Sequence, residues 1–257
     1  MISKIDFHIN ALESMKKYPK ELFYKGNLEL LKRPKVTIVG TRKPSNYTKE
    51  MVYQISKALA SRGVCIVSGG AMGVDALAHS GAGVDNTICV LGNSLDIYYP
   101  AVNKNLLMQI SQQGLLLSQF PATFKATPWS FVVRNELVVA LGDIVIIAEA
   151  SMDSGSMRSA DFALAMKKKL FVLPHRLNES SGTNMLLKSS LATPIYDIEE
   201  FSSHFGVATQ SVERDEFYYF CQKSPTLDSA IEKFGSRVYE AELEGVISVE
   251  NGLIRLA

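Results

Sequence analysis

Residues 36–79 read VTIVGTRKPSNYTKEMVYQISKALASRGVCIVSGGAMGVDALAH, and this stretch decides the fold. Its two apolar runs, VTIVG (36–40) and VCIVSG (64–69), are short, rich in β-branched residues and apolar on both faces. Such runs are typical of strands buried between two layers of helices. A helical stretch follows each run. The resulting strand–helix–strand–helix order predicts a parallel sheet, because each crossover returns the chain to the same edge.

Four later runs extend the pattern: TICVLG (87–92), LLLSQF (115–120), DIVIIAEA (143–150) and KLFVLP (169–174). We therefore predict an α/β domain over residues 34–200, doubly wound around a mostly parallel sheet. Residues 1–33 are dotted with lysines and weakly periodic, and we expect two short helices there, leading into this domain. In such sheets ligands bind beyond the carboxyl ends of the strands, so the residues after each run are the candidate binding residues.

The sequence changes character after residue 200. Three short helical stretches precede VISVENGLIRL (246–256), in which Glu-Asn-Gly is a hairpin signal. Three helices followed by a hairpin predict a winged-helix-like domain over residues 210–257. The helix that would enter a DNA groove carries Glu240, Glu242 and Glu244, which repel phosphate. We therefore interpret this domain as a protein-interaction or self-packing unit.

The composition is that of an ordinary globular protein, and 257 residues suffice for one large core and a small second module. No apolar run reaches the roughly 20 residues of a membrane span, and the start lacks the apolar core of a secretory signal. We expect a cytosolic protein. Cys65, Cys89 and Cys221 are scattered without a Cys-x-x-Cys pair, which indicates neither disulfides nor a zinc site. We expect no metal and no cofactor.

The net charge of +1 hides two parts of opposite sign. Residues 1–196 carry 22 Lys and Arg against 14 Asp and Glu, a balance of +8, whereas residues 197–257 carry 5 against 12, a balance of −7. Two stretches of the basic part, 30–49 and 97–135, contain no acidic residue. This favours phosphate binding, because a nearby acid cancels part of the attraction, although such gaps also arise by chance on solvated surfaces.

The turn after the first strand, Gly40-Thr41-Arg42-Lys43, has the parts of a phosphate site. Glycine lets the backbone approach a ligand, and the helix that begins near Ser45 or Asn46 offers free N–H groups to an anion. Arg42 adds a forked, permanent charge. The turn is not a dinucleotide fingerprint, because Gly-x-Gly-x-x-Gly is absent here.

The turn after the second strand is the most glycine-rich. Gly69, Gly70 and Gly73 let several backbone N–H groups converge on one anion, and Ser68 adds a hydroxyl donor. We interpret Asp75 as a cap of the following helix rather than an acid catalyst or metal ligand. An Asp75–His79 pair without a nucleophile falls short of a catalytic constellation, so we predict no catalytic residue.

Aromatic and cationic residues alternate between 120 and 135. Rings that stack on bases, interleaved with cations that hold phosphates, are the components of a single-strand binding surface. We assign Lys125, Phe131, Arg134 and Asn135 to it, interpret Phe120 as core, and leave Trp129 open. Ser154-Gly155-Ser156, at the start of a later helix, suits an anion again, though helix capping explains part of that pattern. Together the turns suggest an extended polyphosphate track rather than one nucleotide pocket.

In order, the motifs VGTR, SGGAMGVDALAH, VLGNSLDIYYP, SQFP, FVVRNELVVALGDIVIIAEA, SGSMRSADFA and VLPHRLNESSGTN resemble those of the DNA-processing protein A family, also called DprA or Smf, over residues 36–190. The resemblance implies a Rossmann-like domain that binds single-stranded DNA as a dimer, protects it and helps load the RecA recombinase in natural transformation. It carries over Gly40, Thr41, Arg42, Ser68, Gly69, Gly70, Gly73, Asp75, Arg134 and Asn135 as functional positions.

Three residues depart from the family pattern. Gln119 replaces Glu, Glu136 replaces Arg and removes a cation from the expected groove, and His175 replaces Gly. The alternative is a nucleotide phosphoribohydrolase of the lysine-decarboxylase-like class, which shares a glycine-rich turn. Its Pro-Gly-Gly-x-Gly-Thr-x-x-Glu signature is absent from this sequence. We therefore predict a DNA-binding protein and not an enzyme.

Overall fold

The computed structural model describes residues 2–208, 216–243, 246–250 and 252–256. Their strands are β1 Ser3–Lys4, β2 Phe23–Gly26, β3 Lys35–Val39, β4 Cys65–Ser68, β5 Thr87–Leu91, β6 Leu115–Ser118, β7 Ile144–Ile147, β8 Lys169–Val172, β9 Thr193–Pro194, β10 Ile247–Glu250 and β11 Leu253–Leu256. The helices are α1 Asn46–Ala60, α2 Val74–Ala82, α3 Lys104–Gln113, α4 Pro128–Leu141, α5 Gly155–Ala165, α6 Ser181–Lys188, α7 Ile198–Ser203, α8 Glu216–Cys221, α9 Leu227–Phe234 and α10 Arg237–Leu243. The chain divides into two units, Met1–Thr209 and Gln210–Ala257.

The first unit is built on one mostly parallel sheet. Its strand order within the described residues is β1-β2-β6-β5-β4-β3-β7-β8-β9, and the pairs from β6 to β9 are all parallel. Each of the six predicted apolar runs forms one of these strands. The predicted α/β, Rossmann-like class is therefore confirmed.

Alternate residues of the strands face two different layers of helices. Val67 and Val145 face a core closed by α4 and α5, whereas Ile66 and Ile146 face a core closed by α1 and α2. Successive side chains of a strand point to opposite faces, so a strand apolar at every position needs helices on both sides. This is why the runs lack the alternation of a half-exposed strand.

The first 33 residues do more than form the helical lead-in that we expected. They contain two short 3-10 helices, Asn10–Ser14 and Leu28–Lys32, but also β1 and β2. Strand β2 extends the main sheet by pairing antiparallel with β6. The prediction missed these strands because their sequences, SK and FYKG, are not the apolar runs that mark the central strands.

In the second unit, three short helices precede the antiparallel pair β10–β11 in the predicted order. A separate apolar core, which includes Phe217, Val238 and Ile254, holds these elements together. The winged-helix assignment stays a prediction. Glu240 and Glu242 lie exposed on α10, and Glu244 lies outside the described residues.

No helix in the part of the chain that the structure describes combines the length and the apolar character needed to cross a bilayer.

Candidate nucleic-acid interface

A cleft of about 710 Å³ opens at the carboxyl ends of β3 and β7. One wall is a face of α4, to which residues at helical spacing contribute: Pro128, Phe131, Val132 and Asn135. The turn after β3 and the start of α5 form the opposite rim. The residues that we assigned to DNA binding and that line this cleft are Gly40, Thr41, Arg42, Lys43, Phe131, Arg134, Asn135, Ser154, Gly155 and Ser156. The sheet thus gathers residues that lie over 100 positions apart in sequence.

The turn after β3 presents two cations to this cleft. Arg42 and Lys43 are exposed, and the Arg42 guanidinium lies 5.8 Å from the centre of the Phe131 ring. The backbone behind them is fixed on two sides, since the Thr41 N–H donates to the Glu149 carbonyl at 2.8 Å and the Val74 N–H donates to the Thr41 carbonyl at 3.1 Å. The two cations therefore project from a rigid turn.

The start of α1 is partly occupied by a carboxylate of the protein itself. Its N-cap is Ser45, within the predicted range, but the Ser45 N–H and hydroxyl both donate to the Glu149 carboxylate at 3.0 Å. The Glu149 carboxylate thus supplies an anion at the positive end of the α1 dipole. The exposed cations of this turn are Arg42 and Lys43.

The glycine-rich turn after β4 also binds a carboxylate of the protein itself. The Asp75 carboxylate accepts from the Gly69 N–H at 3.2 Å and from the Ala71 N–H at 3.3 Å. Ser68 is fully buried, and its hydroxyl donates to the Ile38 carbonyl at 2.6 Å. The Gly69 and Ala71 amides and the Ser68 hydroxyl are thus bonded within the protein, against expectation, whereas the assignment of Gly70 stays a prediction.

Asp75 is not the helix cap that we predicted. The N-cap of α2 is Gly73, and Asp75 lies in the first turn with its carboxylate directed back to the preceding loop. Burial raises the pKa of this carboxyl, while the nearby Arg134 charge and the loop amides act in the opposite direction. Asp75 therefore shapes the loop from inside.

Gly73 lies where the turn after β4 contacts the turn after β3. Its φ is +77°, and a Cβ atom here would lie 2.5 Å from the Thr41 carbonyl oxygen and 2.6 Å from the Arg42 carbonyl carbon. Any side chain would push the turn that carries Arg42, so Gly73 positions this cation rather than contacting a ligand. Gly73 also lines a neighbouring groove with Arg42, Lys43 and Lys49, which we call the basic groove.

Arg134 is buried beneath the cleft instead of lying open to it. Only 5% of the residue is exposed, and its guanidinium donates to the Gly69 carbonyl and, at 2.9 Å, to the Val90 carbonyl. Burial lowers the pKa of Arg134, but an arginine starts far enough above neutrality to stay charged. Its Nε also donates to Asn135 at 3.1 Å. Arg134 thus ties the ends of β4 and β5 to α4.

A smaller pocket adjoins the cleft across the Phe131 ring. Gly69 and Gly70 line it together with Tyr99, a residue that our assignment missed. The Tyr99 ring is 49% exposed, and its centre lies 6.1 Å from that of Phe131. The signal was present in the sequence, since Tyr99 follows the glycine turn after β5. Two half-open rings beside cations suit unpaired bases.

The start of α5 closes the rim. Ser154 is the N-cap, its side chain accepting from the Met157 N–H, and Ser156 is largely buried. Gly155 is exposed, and a Cβ added there would meet nothing within 4 Å. Arg158, one turn into α5, is exposed and lines the cleft. Sequence reasoning missed this cation, although it stands in the quoted motif SGSMRSA.

Lys125 and the three departures from the family pattern lie elsewhere. Lys125 is exposed but does not line the cleft. Glu136 accepts from the Lys16 N–H at 2.9 Å, so it anchors the N-terminal segment to α4. His175 interacts with the Ala148 carbonyl at 2.8 Å, and the Gln119 side-chain oxygen is buried without a hydrogen bond.

His79 is buried as a neutral side chain. The Thr87 hydroxyl donates to the Ile66 carbonyl at 2.8 Å, so its oxygen accepts from the His79 Nδ1–H at 2.6 Å. This assigns the tautomer, and it leaves Nε2 buried without a partner. Burial, assisted by the Arg134 charge, lowers the pKa of His79 to about 3. A buried neutral imidazole with this pKa is unsuited to acid–base catalysis near neutral pH.

Sequence comparison identifies one family. A profile described as DNA recombination-mediator protein A matches residues 4–206. DNA processing protein DprA of Streptococcus pneumoniae is 39% identical over 174 residues, which are 66% of this chain and 61% of that protein. Protein Smf of Synechocystis sp. is 39% identical over 201 residues, 70% of this chain and 50% of that protein. The chain thus spans only 50% and 61% of the length of these two curated relatives.

Two solved structures share the fold. One, reported for its unique single-stranded DNA binding mode, is DNA processing protein A from Helicobacter pylori, with a TM-score of 0.77 and 43% identity over 79% of this chain and 94% of that chain. The other is DprA from Streptococcus pneumoniae, with a TM-score of 0.74 and 32% identity over 80% of this chain and 75% of that chain.

Proposed function

The chain belongs to the DNA recombination-mediator protein A family, and on that premise we propose that it binds single-stranded DNA in the cleft at the carboxyl ends of β3 and β7. One observation carries the proposal: the same cleft holds the exposed cations Arg42, Lys43 and Arg158 and the half-buried ring of Phe131. Cations neutralise phosphates and rings stack on base faces. Because base faces are accessible only in unpaired strands, this combination favours single-stranded over duplex DNA.

The proposed roles of the site residues follow from their exposure. Arg42, Lys43 and Arg158 contact phosphates, while Phe131 and Tyr99 contact bases. Asn135 and the α5 start, Ser154–Ser156, add polar contacts along the rim. A second group of residues acts indirectly, because it fixes the turns that carry the DNA-contacting residues. Its members are Gly40, Ser68, Gly69, Gly70, Gly73, Asp75 and Arg134.

The Helicobacter pylori structure, which shares 43% identity with this chain, supports the choice of ligand because single-stranded DNA is what that relative is reported to bind. The electrostatics support it as well. The exposed cations of the cleft are joined by Lys49 in the basic groove, so positive charge continues beyond the cleft. Exposed cations outnumber the one exposed carboxylate, Asp153, in the lining of the cleft. A mainly cationic surface suits a chain of phosphates better than one mononucleotide.

Protein partners form a second part of the proposal. From the family resemblance we take a homodimer that protects incoming DNA and helps load the RecA recombinase during natural transformation, which places the protein in the cytoplasm. The acidic second unit suits a protein partner better than DNA, because exposed Glu240 and Glu242 on α10 repel phosphate.

We propose no enzymatic activity. The alternative, a nucleotide phosphoribohydrolase, needs a carboxylate free to act on its substrate. Asp75 and Glu149 are instead hydrogen-bonded to the protein's own backbone N–H groups. Asp153, just before α5, is the exposed carboxylate that lines the cleft. Incubation with nucleoside monophosphates is expected to release no free base, and any release that Asp75→Asn abolishes would revive the alternative. Asp153→Asn is a second variant for the same assay.

A competition experiment tests DNA binding. A fluorescently labelled oligothymidylate is bound to the full chain and displaced either by the same unlabelled strand or by a duplex of equal length. We expect the single strand to compete far better, and the double variant Arg42→Ala/Arg158→Ala to bind weakly. The control is Lys169→Ala. Lys169 is exposed at the amino end of β8, whereas the cleft lies at the carboxyl ends of the strands. Equal competition by duplex, or wild-type binding by the double variant, would refute the proposal.

A further inference from the structure

Trp129, the only tryptophan of the sequence, is 63% exposed in the first turn of α4. Its ring lies edge-on to Phe120, with the centres 6.0 Å apart, and Phe120 stacks on Phe124 at 4.4 Å. We call these three rings the aromatic ledge. Phe120 is only 6% exposed. Trp129 is thus seated on a buried base while most of its surface faces solvent.

Folding alone does not account for this exposure. Burying a large aromatic side chain gives roughly 1.5–3 kcal/mol, and Trp129 forgoes most of that gain. Its neighbours hold it in place, because the Thr127 side chain caps α4 by accepting from the Ser130 N–H, and the Ser130 hydroxyl donates to the Gly92 carbonyl at 2.5 Å. A large ring held in an exposed position has a face open for stacking on a base.

The aromatic ledge is continuous with the cleft. Pro128 lines the cleft, and Trp129 is the next residue, one helical step of about 100° away from the cleft face of α4. Phe131 and Trp129 therefore lie on different sides of the same helix turn. A strand that follows both must pass around the start of α4.

The charge near the ledge suits a nucleic acid. The first turn of α4 contains no acidic residue, and Lys125, next to Phe124 in the chain, is exposed. Residues 97–135 contain no Asp or Glu. Asp96 lies just before this stretch, and its carboxylate accepts from the Thr123 N–H at 3.2 Å. The surface beside Trp129 thus combines a ring with a cation.

We infer that Trp129 is a second stacking site, for a nucleobase of the strand that leaves the cleft over Pro128, with Lys125 contacting a phosphate beside it. This inference deepens the proposed function and rests on it. It gives Lys125, which lies outside the cleft, a place on the DNA path. It also predicts that the footprint is longer than the cleft alone.

Because Trp129 is the only tryptophan, its fluorescence reports on this site alone when it is excited at the red edge of the protein absorption. The full chain is titrated with oligothymidylates lengthened one nucleotide at a time, and the anisotropy of a labelled strand measures binding in parallel. We expect the shortest strands that bind to leave the emission unchanged, and longer strands to quench it. Lys125→Ala should weaken binding only of the strands that quench.

The variants separate stacking from folding. Trp129→Ala should weaken the binding of long strands about 5- to 150-fold, the effect of one lost base stack, and leave short strands unaffected. Trp129→Phe should retain most of the affinity. Phe7→Ala removes an exposed aromatic ring elsewhere, in a pocket with Lys35 at the amino end of β3, and should change nothing.

Each remaining outcome has one meaning. Binding without quenching at any length, with Trp129→Ala equal to wild type, would overturn the inference and leave the proposed function intact. Failure of all strands to bind would refute the proposed function itself. A change of oligomeric state in Trp129→Ala with unchanged DNA affinity would identify the ledge as a protein interface and overturn the inference.

Discussion

Replacing Arg42 by alanine should weaken single-strand binding and reduce its dependence on salt. Four exposed cations line the cleft and the basic groove: Arg42, Lys43, Lys49 and Arg158. About 0.7 counterions are released per phosphate neutralised on a single strand, so four contacts predict a slope of about −2.8 for log K against log [salt] with a strand too short to reach Lys125. With Arg42 removed, three contacts remain, and the slope should be about −2.1.

The affinity loss follows from the type of contact. A hydrogen bond to a charged group contributes about 1.5–3 kcal/mol, which corresponds to roughly 10- to 150-fold weaker binding. Alanine also removes the cation that lies 5.8 Å from the Phe131 ring. Arg42→Lys keeps the charge but loses the fork of donors. We therefore expect it to keep the wild-type salt slope at an intermediate affinity.

Anisotropy titrations of a labelled oligothymidylate at several salt concentrations measure both quantities. Lys169→Ala removes one cation at the amino end of β8, away from the cleft, and should leave the salt slope and the affinity unchanged. If Arg42→Ala and Lys169→Ala lower the slope equally, the attraction comes from overall charge. The assignment of the strand to this cleft would then be wrong.

Two further predictions concern positioning and burial. Gly73→Ala should destabilise the protein by about 1–3 kcal/mol in chemical unfolding and weaken DNA binding, because its Cβ would press on the turn of Arg42. Gly155→Ala, whose Cβ meets nothing within 4 Å, should leave the free energy of unfolding unchanged. The lowered pKa of His79, about 3, means that the unfolded chain binds more protons than the folded one from there up to the ordinary value of 6.5. Stability is thus retained above that range and falls as the pH falls through it. Between pH 7 and pH 5 the wild type should lose about 2 kcal/mol more than His79→Gln, and parallel curves for the two proteins would refute this account. The raised pKa of Asp75 acts in the opposite direction, but it is common to both proteins and cancels in the comparison.

Much of the fold was readable from sequence because its signals are local. A strand covered by helices on both faces must be apolar at consecutive positions, so the six central strands stand out as runs. Ser45 could be predicted as the start of α1, since a hydroxyl before a helix satisfies its free N–H groups. Strands β1 and β2 carry no such signal. Strand β2 forms because the edge of β6 is open to it, and β1 then pairs with β2.

The candidate site was predicted in part, and the errors about the glycine turns have one cause. Glycine turns at strand ends, with Arg42 and Lys43 after β3, indicate where a phosphate can bind, and Arg42, Lys43 and Phe131 do meet at one cleft. The sequence does not show which side chains of the protein itself bind the backbone N–H groups of a turn. Asp75 lies within a few residues of the amides it holds, yet its pattern is also that of a helix cap, and Glu149 reaches Ser45 from 104 positions away.

The sequence by itself determined the class of sheet, the edge at which the candidate site lies and the family, because apolar periodicity, strand-end glycines and motif order are written in consecutive residues. Only the tertiary structure decided which polar groups remain open to a ligand. Arg134 and Arg42 are equally cationic in sequence, but the ends of β4 and β5 bury the first while Gly73 seats the second at the surface. Burial and hydrogen bonding depend on distant neighbours, and these are set by packing.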